Sequence, residues 1–173
     1  MAGITGFTDG REGIIADVNE FSDPGGTIAR LHSIGAGGLR LDHLGVAVKS
    51  IAAARVFYEA LGLAVSREET IEHERVKTAM LPLGESRMEL LEAIEEDSAV
   101  GRFIARRGEG LHHVAIHVDA VDTMFEKLKA QGMRLASDSV RVGAGGHRYF
   151  FVHPASTGGV LVEIVGDATE EGE

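Results

Sequence analysis

The chain has 173 residues, 44% of them hydrophobic, enough for one domain with a proper core and too many for a disordered tail. Its 17 Lys+Arg against 27 Asp+Glu leave a formal charge of −10, which argues against a general nucleic-acid partner. Eight histidines and no cysteine exclude disulfides, thiolate nucleophiles and Cys-type zinc sites, so any metal must be held by His, Asp or Glu.

Residues 1–38 are rich in glycine and acidic side chains and end in Ile34-Gly35-Ala36-Gly37-Gly38. They read as an N-terminal extension with little periodicity. Asp9, Glu12, Asp17, Glu20 and Asp23 argue against a secretory or mitochondrial leader. No apolar run approaches the roughly 20 residues that span a bilayer, so a cytoplasmic location is expected, without a membrane partner.

The folded domain is expected over 39–167. It opens with the strand Leu41–Val48, where Leu44, Val46 and Val48 share one face and His43, Gly45 and Ala47 the other. A helix follows over Ile51–Leu61, with Ala54, Phe57, Tyr58 and Leu61 on one face and Gly62 at its C-terminal end. Strands are then expected at Ala64–Glu68, Val76–Leu81 and Arg87–Glu92, completing a first module over about 40–95. A linker helix over about 97–108 carries the stripe Val100, Phe103 and Ile104. Asp97 or Ser98 can cap its start, and Arg106 and Arg107 complement its C-terminal dipole. The second module, about 110–166, has a strand at Leu111–Val118 and a helix at Val121–Gln131 with Met124, Phe125 and Leu128 on one face. Strands at Arg134–Ala136, His147–Val152 and Gly159–Val165 complete it, and 168–173 form an acidic tail.

The second module repeats the first. One ungapped offset of 70 residues carries His43 onto His113, Val48 onto Val118, Ala60 onto Ala130 and Gly62 onto Gly132. Duplication of a βαβββ unit is the simplest account and makes the fold class α+β. Strand alternation then places His43 and His113 at equivalent positions, pointing away from the helices. The closing strands each bury a carboxylate among apolar residues: Glu89 between Met88 and Leu90, Glu163 between Val162 and Ile164. A carboxylate there is costly without a counter-charge. His43, Glu89, His113 and Glu163 therefore make a His₂Glu₂ site suited to a divalent ion such as Zn, Co, Ni, Mn or Fe. His112 matches Asp42 and falls on the core-side parity, which gives it a supporting role. His117 shares the parity of His113 but matches Ala47, so it is expected at the rim. His32 and His73 have no counterpart in the repeat.

These ligands sit among further motifs. They are Leu41-Asp42-His43, Phe57-Tyr58-Glu59 with Leu61-Gly62, Val76-Lys77-Thr78-Ala79-Met80-Leu81 and Met88-Glu89-Leu90-Leu91-Glu92. The most specific are Gly108-Glu109-Gly110-Leu111-His112-His113-Val114-Ala115 and Phe151-Val152-His153-Pro154 with Gly158-Gly159-Val160-Leu161-Val162-Glu163. Over about residues 40–166 the sequence resembles the vicinal oxygen chelate (glyoxalase/dioxygenase-like) superfamily and, within it, the methylmalonyl-CoA epimerase family. The resemblance implies a cupped mixed sheet, a divalent metal, an acyl-CoA substrate and a homodimer. It implies interconversion of (2R)- and (2S)-methylmalonyl-CoA through an enolate. His43, Glu89, His113 and Glu163 match its metal ligands, and Glu163 also matches an acid–base group. The opposing base of the family stands two residues after the Val that matches Val76, where this chain has Thr78. Glu72, Glu74, Lys77 and Thr78 itself are the candidates for that role. Substrate contacts are expected from the glycine loop at Gly145 and Gly146, and from His147, Arg148 and His153. Rival functions are a glyoxalase I-like lyase of the same fold and a non-catalytic small-molecule-binding member.

Overall fold

The computed structural model describes residues 38–143 and 146–168. His32 and Gly145 lie outside these. Two βαβββ units follow one another. The first contains β1 (Arg40–Val48), α1 (Ile51–Ala60), β2 (Arg67–Ile71), β3 (Val76–Leu83) and β4 (Ser86–Ala93). Helix α2 (Ala99–Arg107) leads to the second: β5 (Gly110–His117), α3 (Val121–Ala130), β6 (Arg141–Val142), β7 (Arg148–Val152) and β8 (Leu161–Gly166). All eight strands form one curled mixed sheet in the order β2-β3-β4-β1-β5-β8-β7-β6. The two repeat strands β1 and β5 are antiparallel neighbours at its centre. Each takes its own module's closing strand on its other side in parallel, β4 on β1 and β8 on β5.

This topology follows from the duplication. Alternating strands bury one face under the helices and leave the other for the concave side. Val46 and Val48 pack with Leu90, Ala79, Ile51, Ala54 and Tyr58 under α1. In the second module Val118, Phe150, Val152 and Ile164 pack with Phe125, Met124 and Leu128 under α3. Helix α2 sets Val100, Phe103 and Ile104 against Ala47, Val76 and Leu91.

Helices α1 and α2 start at specific side-chain caps, whereas Ala120 before α3 offers none. The Ser50 side chain accepts from Ala53 N, and Glu92 Oε2 accepts from Ile51 N at 2.7 Å. Ser98, buried, accepts from Gly101 N at 3.0 Å at the start of α2. Arg106 and Arg107 occupy that helix's last turn. No helix among the described residues is long and apolar enough to cross a membrane.

Three local expectations differ. The α1 stripe is narrower, at Ile51, Ala54 and Tyr58, while Phe57 and Leu61 are exposed on its flank. β2 begins three residues later than Ala64, because the turn at Glu72–Arg75, with Arg75 at φ 55°, sets Arg67 opposite Met80 and Ile71 opposite Val76. Residues 134–136 form only a bridge from Leu135 to Val152, and the edge strand is Arg141–Val142 instead.

Candidate metal centre and its cavity

The curled sheet encloses a cavity of about 230 Å³ on its concave face. His43, Glu89, His113 and Glu163 all line it. The central pairings put them together: Gly45 of β1 lies opposite Glu89 on one side and opposite His113 on the other, and Ala115 lies opposite Glu163. The glycine is required. A Cβ on Gly45 would fall 2.3 Å from Cε1 of His113, so only glycine lets that imidazole lie across β1.

The donor atoms converge. His43 Nε2 is 3.0 Å from His113 Nε2, 3.3 Å from a Glu89 oxygen and 3.2 Å from a Glu163 oxygen. His113 Nε2 is 3.5 Å from Glu89 and 3.3 Å from Glu163. Donor atoms of His43, His113 and Glu163 all lie within 4.8 Å of one another. Ligands held at about 2.1 Å around a tetrahedral ion stand about 3.4 Å apart, so this spacing fits a divalent cation. The donor chemistry fits too: imidazole nitrogen and carboxylate oxygen suit Zn, Co, Ni, Mn or Fe.

Electrostatics give an independent reason. Burial alone would favour neutral forms of all four groups. It is overcome by contact among them. His43 is pushed up to about 11 against its burial, by hydrogen bonds to Asp42, Glu163 and Glu89. His113 is pushed up to about 9 against its burial by Glu163 and Glu89. Glu89, half-buried, is held down at about 2 by His113 and His43 against the cost of its burial, and Glu163 is lowered by the same two rings. The two carboxylates thus demand two positive charges at this point. Both imidazoles are shifted towards their protonated forms, which supplies positive charge in the metal-free protein, and one divalent ion with neutral imidazoles would supply it instead.

Two residues outside the expected four complete this environment. Asp42 is buried, accepts from His43 Nδ1 at 2.7 Å and pairs with Arg87. Although burial opposes it, those partners hold its carboxyl at about 2. Tyr149 lines the cavity and donates from its hydroxyl to Glu74 at 2.5 Å. Burial first, then Glu74, raises its phenol well above the usual range. Arg141 stands 3.8 Å from the same carboxylate.

The candidates for the opposing base separate clearly. Glu74 and Thr78 line the cavity; Glu72 and Lys77 are exposed and do not, and Lys77 lies 3.8 Å from Glu92. Glu69, paired with Arg67, is a further cavity carboxylate. Among the described residues expected to contact substrate, only His147 lines the cavity. Arg148 instead pairs with Asp122 at the start of α3. His153 accepts from Ala155 N at 3.0 Å and starts a short helical turn. Gly146 has φ 80° and sits beside Ala168. His117 is buried rather than at the rim, with Nε2 3.4 Å from Asp167. His73 is exposed in the β2–β3 turn.

A sheet of two βαβββ units with a His/Glu cluster on its concave face defines a class, and the comparison with known families agrees. The glyoxalase/bleomycin resistance protein/dioxygenase superfamily matches residues 42–151, and the chain belongs to it. Protein YqjC of Bacillus subtilis, uncharacterised, is 41% identical over 126 residues, covering 72% of this chain and 90% of its own. The mitochondrial methylmalonyl-CoA epimerase of Bos taurus is 36% identical over 127 residues, covering 72% of this chain and 73% of its own. A solved methylmalonyl-CoA epimerase in complex with methylmalonyl-CoA and NH4+ superposes with a TM-score of 0.73 at 38% identity, over 79% of this chain and 99% of that one. Within the superfamily, this chain belongs to the methylmalonyl-CoA epimerase family.

Proposed function

We propose that this chain interconverts (2R)- and (2S)-methylmalonyl-CoA, with His43, Glu89, His113 and Glu163 holding a divalent ion. The observation that carries this reading is the convergence of His43 Nε2 and His113 Nε2 on each other and on oxygens of Glu89 and Glu163, at 3.0 to 3.5 Å, in a concave cavity of an epimerase-family fold. The same reading takes an acyl-CoA as the small-molecule partner. A homodimer is proposed with it, on the resemblance alone.

The chemistry needs three things from the protein. Substrate must lie with C2 inside the cavity, away from water. A base must take the C2 proton, its electron pair passing to the thioester carbonyl to give an enolate. An acid must return a proton to the opposite face. A bound divalent ion supplies positive charge to the thioester oxygen and the free carboxylate of the substrate. Glu163 is the base on one face: its partners His43 and His113 keep it ionised. Glu74 is the group on the other. It is the carboxylate among the four sequence candidates that lines the cavity, and it comes from the first module while Glu163 comes from the second. Tyr149 holds its carboxylate in place.

Glu163→Gln keeps the shape and removes the base. Metal-loaded native protein should exchange the C2 proton of both enantiomers of methylmalonyl-CoA with deuterium, and Glu163→Gln should lower that rate by about 10²–10⁴-fold for the enantiomer whose proton Glu163 takes, since the group on the opposite face serves the other. Exchange at the native rate for both enantiomers in the variant, or none above buffer in the native protein, overturns the assignment. A parallel assay with a glutathione hemithioacetal separates this activity from that of a glyoxalase I-like lyase.

A further inference from the structure

Each ligand histidine is preceded by the one residue that the central strand pair leaves unmatched. Leu41 pairs with Ile116 and His43 with Ala115, which makes Asp42 an extra residue on β1. Gly45 pairs with His113 and Val46 with Leu111, which makes His112 an extra residue on β5. A bulge re-aims the side chain it inserts. Here it brings each inserted residue alongside the ligand that follows it. Asp42 Oδ1 is 2.7 Å from Nδ1 of His43, and His112 Nδ1 is 3.0 Å from Nδ1 of His113. Asp42 and His112 are also equivalent in the repeat, with the same 70-residue offset as the ligands themselves.

In both cases the bond is made at Nδ1, while Nε2 faces the donor cluster. A histidine that ligates through Nε2 must keep its proton on Nδ1, and what accepts that proton sets both tautomer and ring orientation. We propose that Asp42 and His112 are positioning residues for the metal centre, each inserted by a bulge to hold its neighbour's Nδ1–H. This inference rests on the metal-centre reading above. The two halves are unequal. Asp42 is an anion, itself tied to Arg87, and a charge-assisted bond makes His43 the stronger donor. His112 accepts through a bare Nδ1 and gives His113 weaker support. Its ring lies edge-on to Phe103, at 5.0 Å between centroids, which fixes it from the α2 side.

The test uses the full chain stripped of metal and reloaded with Zn²⁺. Competition with a chromogenic chelator should show that Asp42→Leu weakens Zn²⁺ binding by about 10–100-fold. Asp42→Asn, which keeps an acceptor oxygen in place, should recover most of that loss. His112→Leu should weaken binding by less than Asp42→Leu. Long-range ¹H–¹⁵N spectra of the unaltered Zn²⁺-loaded chain should show Nδ1 protonated in His43 and His113, and unprotonated in His112. Binding by Asp42→Leu as tight as that of the native chain overturns the inference alone. So does a proton on Nδ1 of His112, and that spectrum decides even where a leucine variant fails to fold. A native chain that takes up no stoichiometric Zn²⁺ overturns the metal centre and this inference with it.

Discussion

Glu74 and Tyr149 stand 75 residues apart and meet across the cavity at 2.5 Å. Register explains why the meeting matters. Tyr149 pairs with Val165, two residues beyond Glu163 on β8; Thr78 pairs with Leu91, two residues beyond Glu89 on β4. Tyr149 therefore occupies in the second module the place that Thr78 occupies in the first. The threonine hydroxyl is a poor base, and in the proposed mechanism the carboxylate of Glu74 in the neighbouring turn, bonded to the tyrosine opposite, takes its place. Glu74→Gln should lower the epimerisation rate by about 10²-fold or more while leaving KM nearly unchanged. Tyr149→Phe should cause a smaller loss in kcat, and Thr78→Val should change little. Progress curves from each enantiomer measure this. Native kcat in Glu74→Gln would return the role to Thr78 or Glu69.

At the scale of elements, β1 does most to position the site, and its one glycine is the sensitive point. The Cβ of a Gly45→Ala variant would overlap the ring of His113, which must then move or tilt. Zn²⁺ affinity should fall at least tenfold, about the loss seen when a ligand's orientation is disturbed. The α1 and α3 cores, on the other face, should keep the thermal midpoint within a few degrees. A midpoint drop without a change in affinity would show that Gly45 serves the strand rather than the ligand. The repeat made His43, Glu89, His113 and Glu163 legible in the sequence, because duplicated strands must place equivalent residues equivalently. Strict alternation could not reveal Asp42. It also set His112 on the core side, because a bulge shifts the alternation by one residue and leaves no mark in the composition to show where. The late start of β2 was hidden for a similar reason: its register depends on the turn at Glu72–Arg75 and not on its own side chains. The Glu74–Tyr149 contact needs the curl of the whole sheet.

For the whole molecule, the buried charge cluster makes stability a function of pH and of metal together. His43 and His113 have folded values of about 11 and about 9, both raised from 6.5. Their contribution in the metal-free chain is therefore complete below 6.5 and is lost as pH rises through 9 and towards 11. Glu89 is lowered from 4.5 to about 2, so its contribution is complete above 4.5 and is lost as pH falls towards 2. His112 is lowered from 6.5 to about 4 by burial and by the charge of His113, so its contribution is complete above 6.5 and falls away below it. The metal-free chain should thus be most stable near pH 6.5, and its thermal midpoint should fall on both sides. A divalent ion reverses the upper limb, because it binds only neutral imidazoles and displaces their protons. Saturating Zn²⁺ should raise the midpoint more at pH 8 than at pH 5, and proton release on binding should be measurable by titration calorimetry in buffers of different ionisation enthalpy. A metal-free midpoint that climbs steadily to pH 8, with the same Zn²⁺ increment at both pH values, would show that the histidines are not charged in the metal-free protein. The two Glu carboxylates would then lack the counter-charge that their burial requires, and the acidic balance of −10 would not be offset at its most buried point.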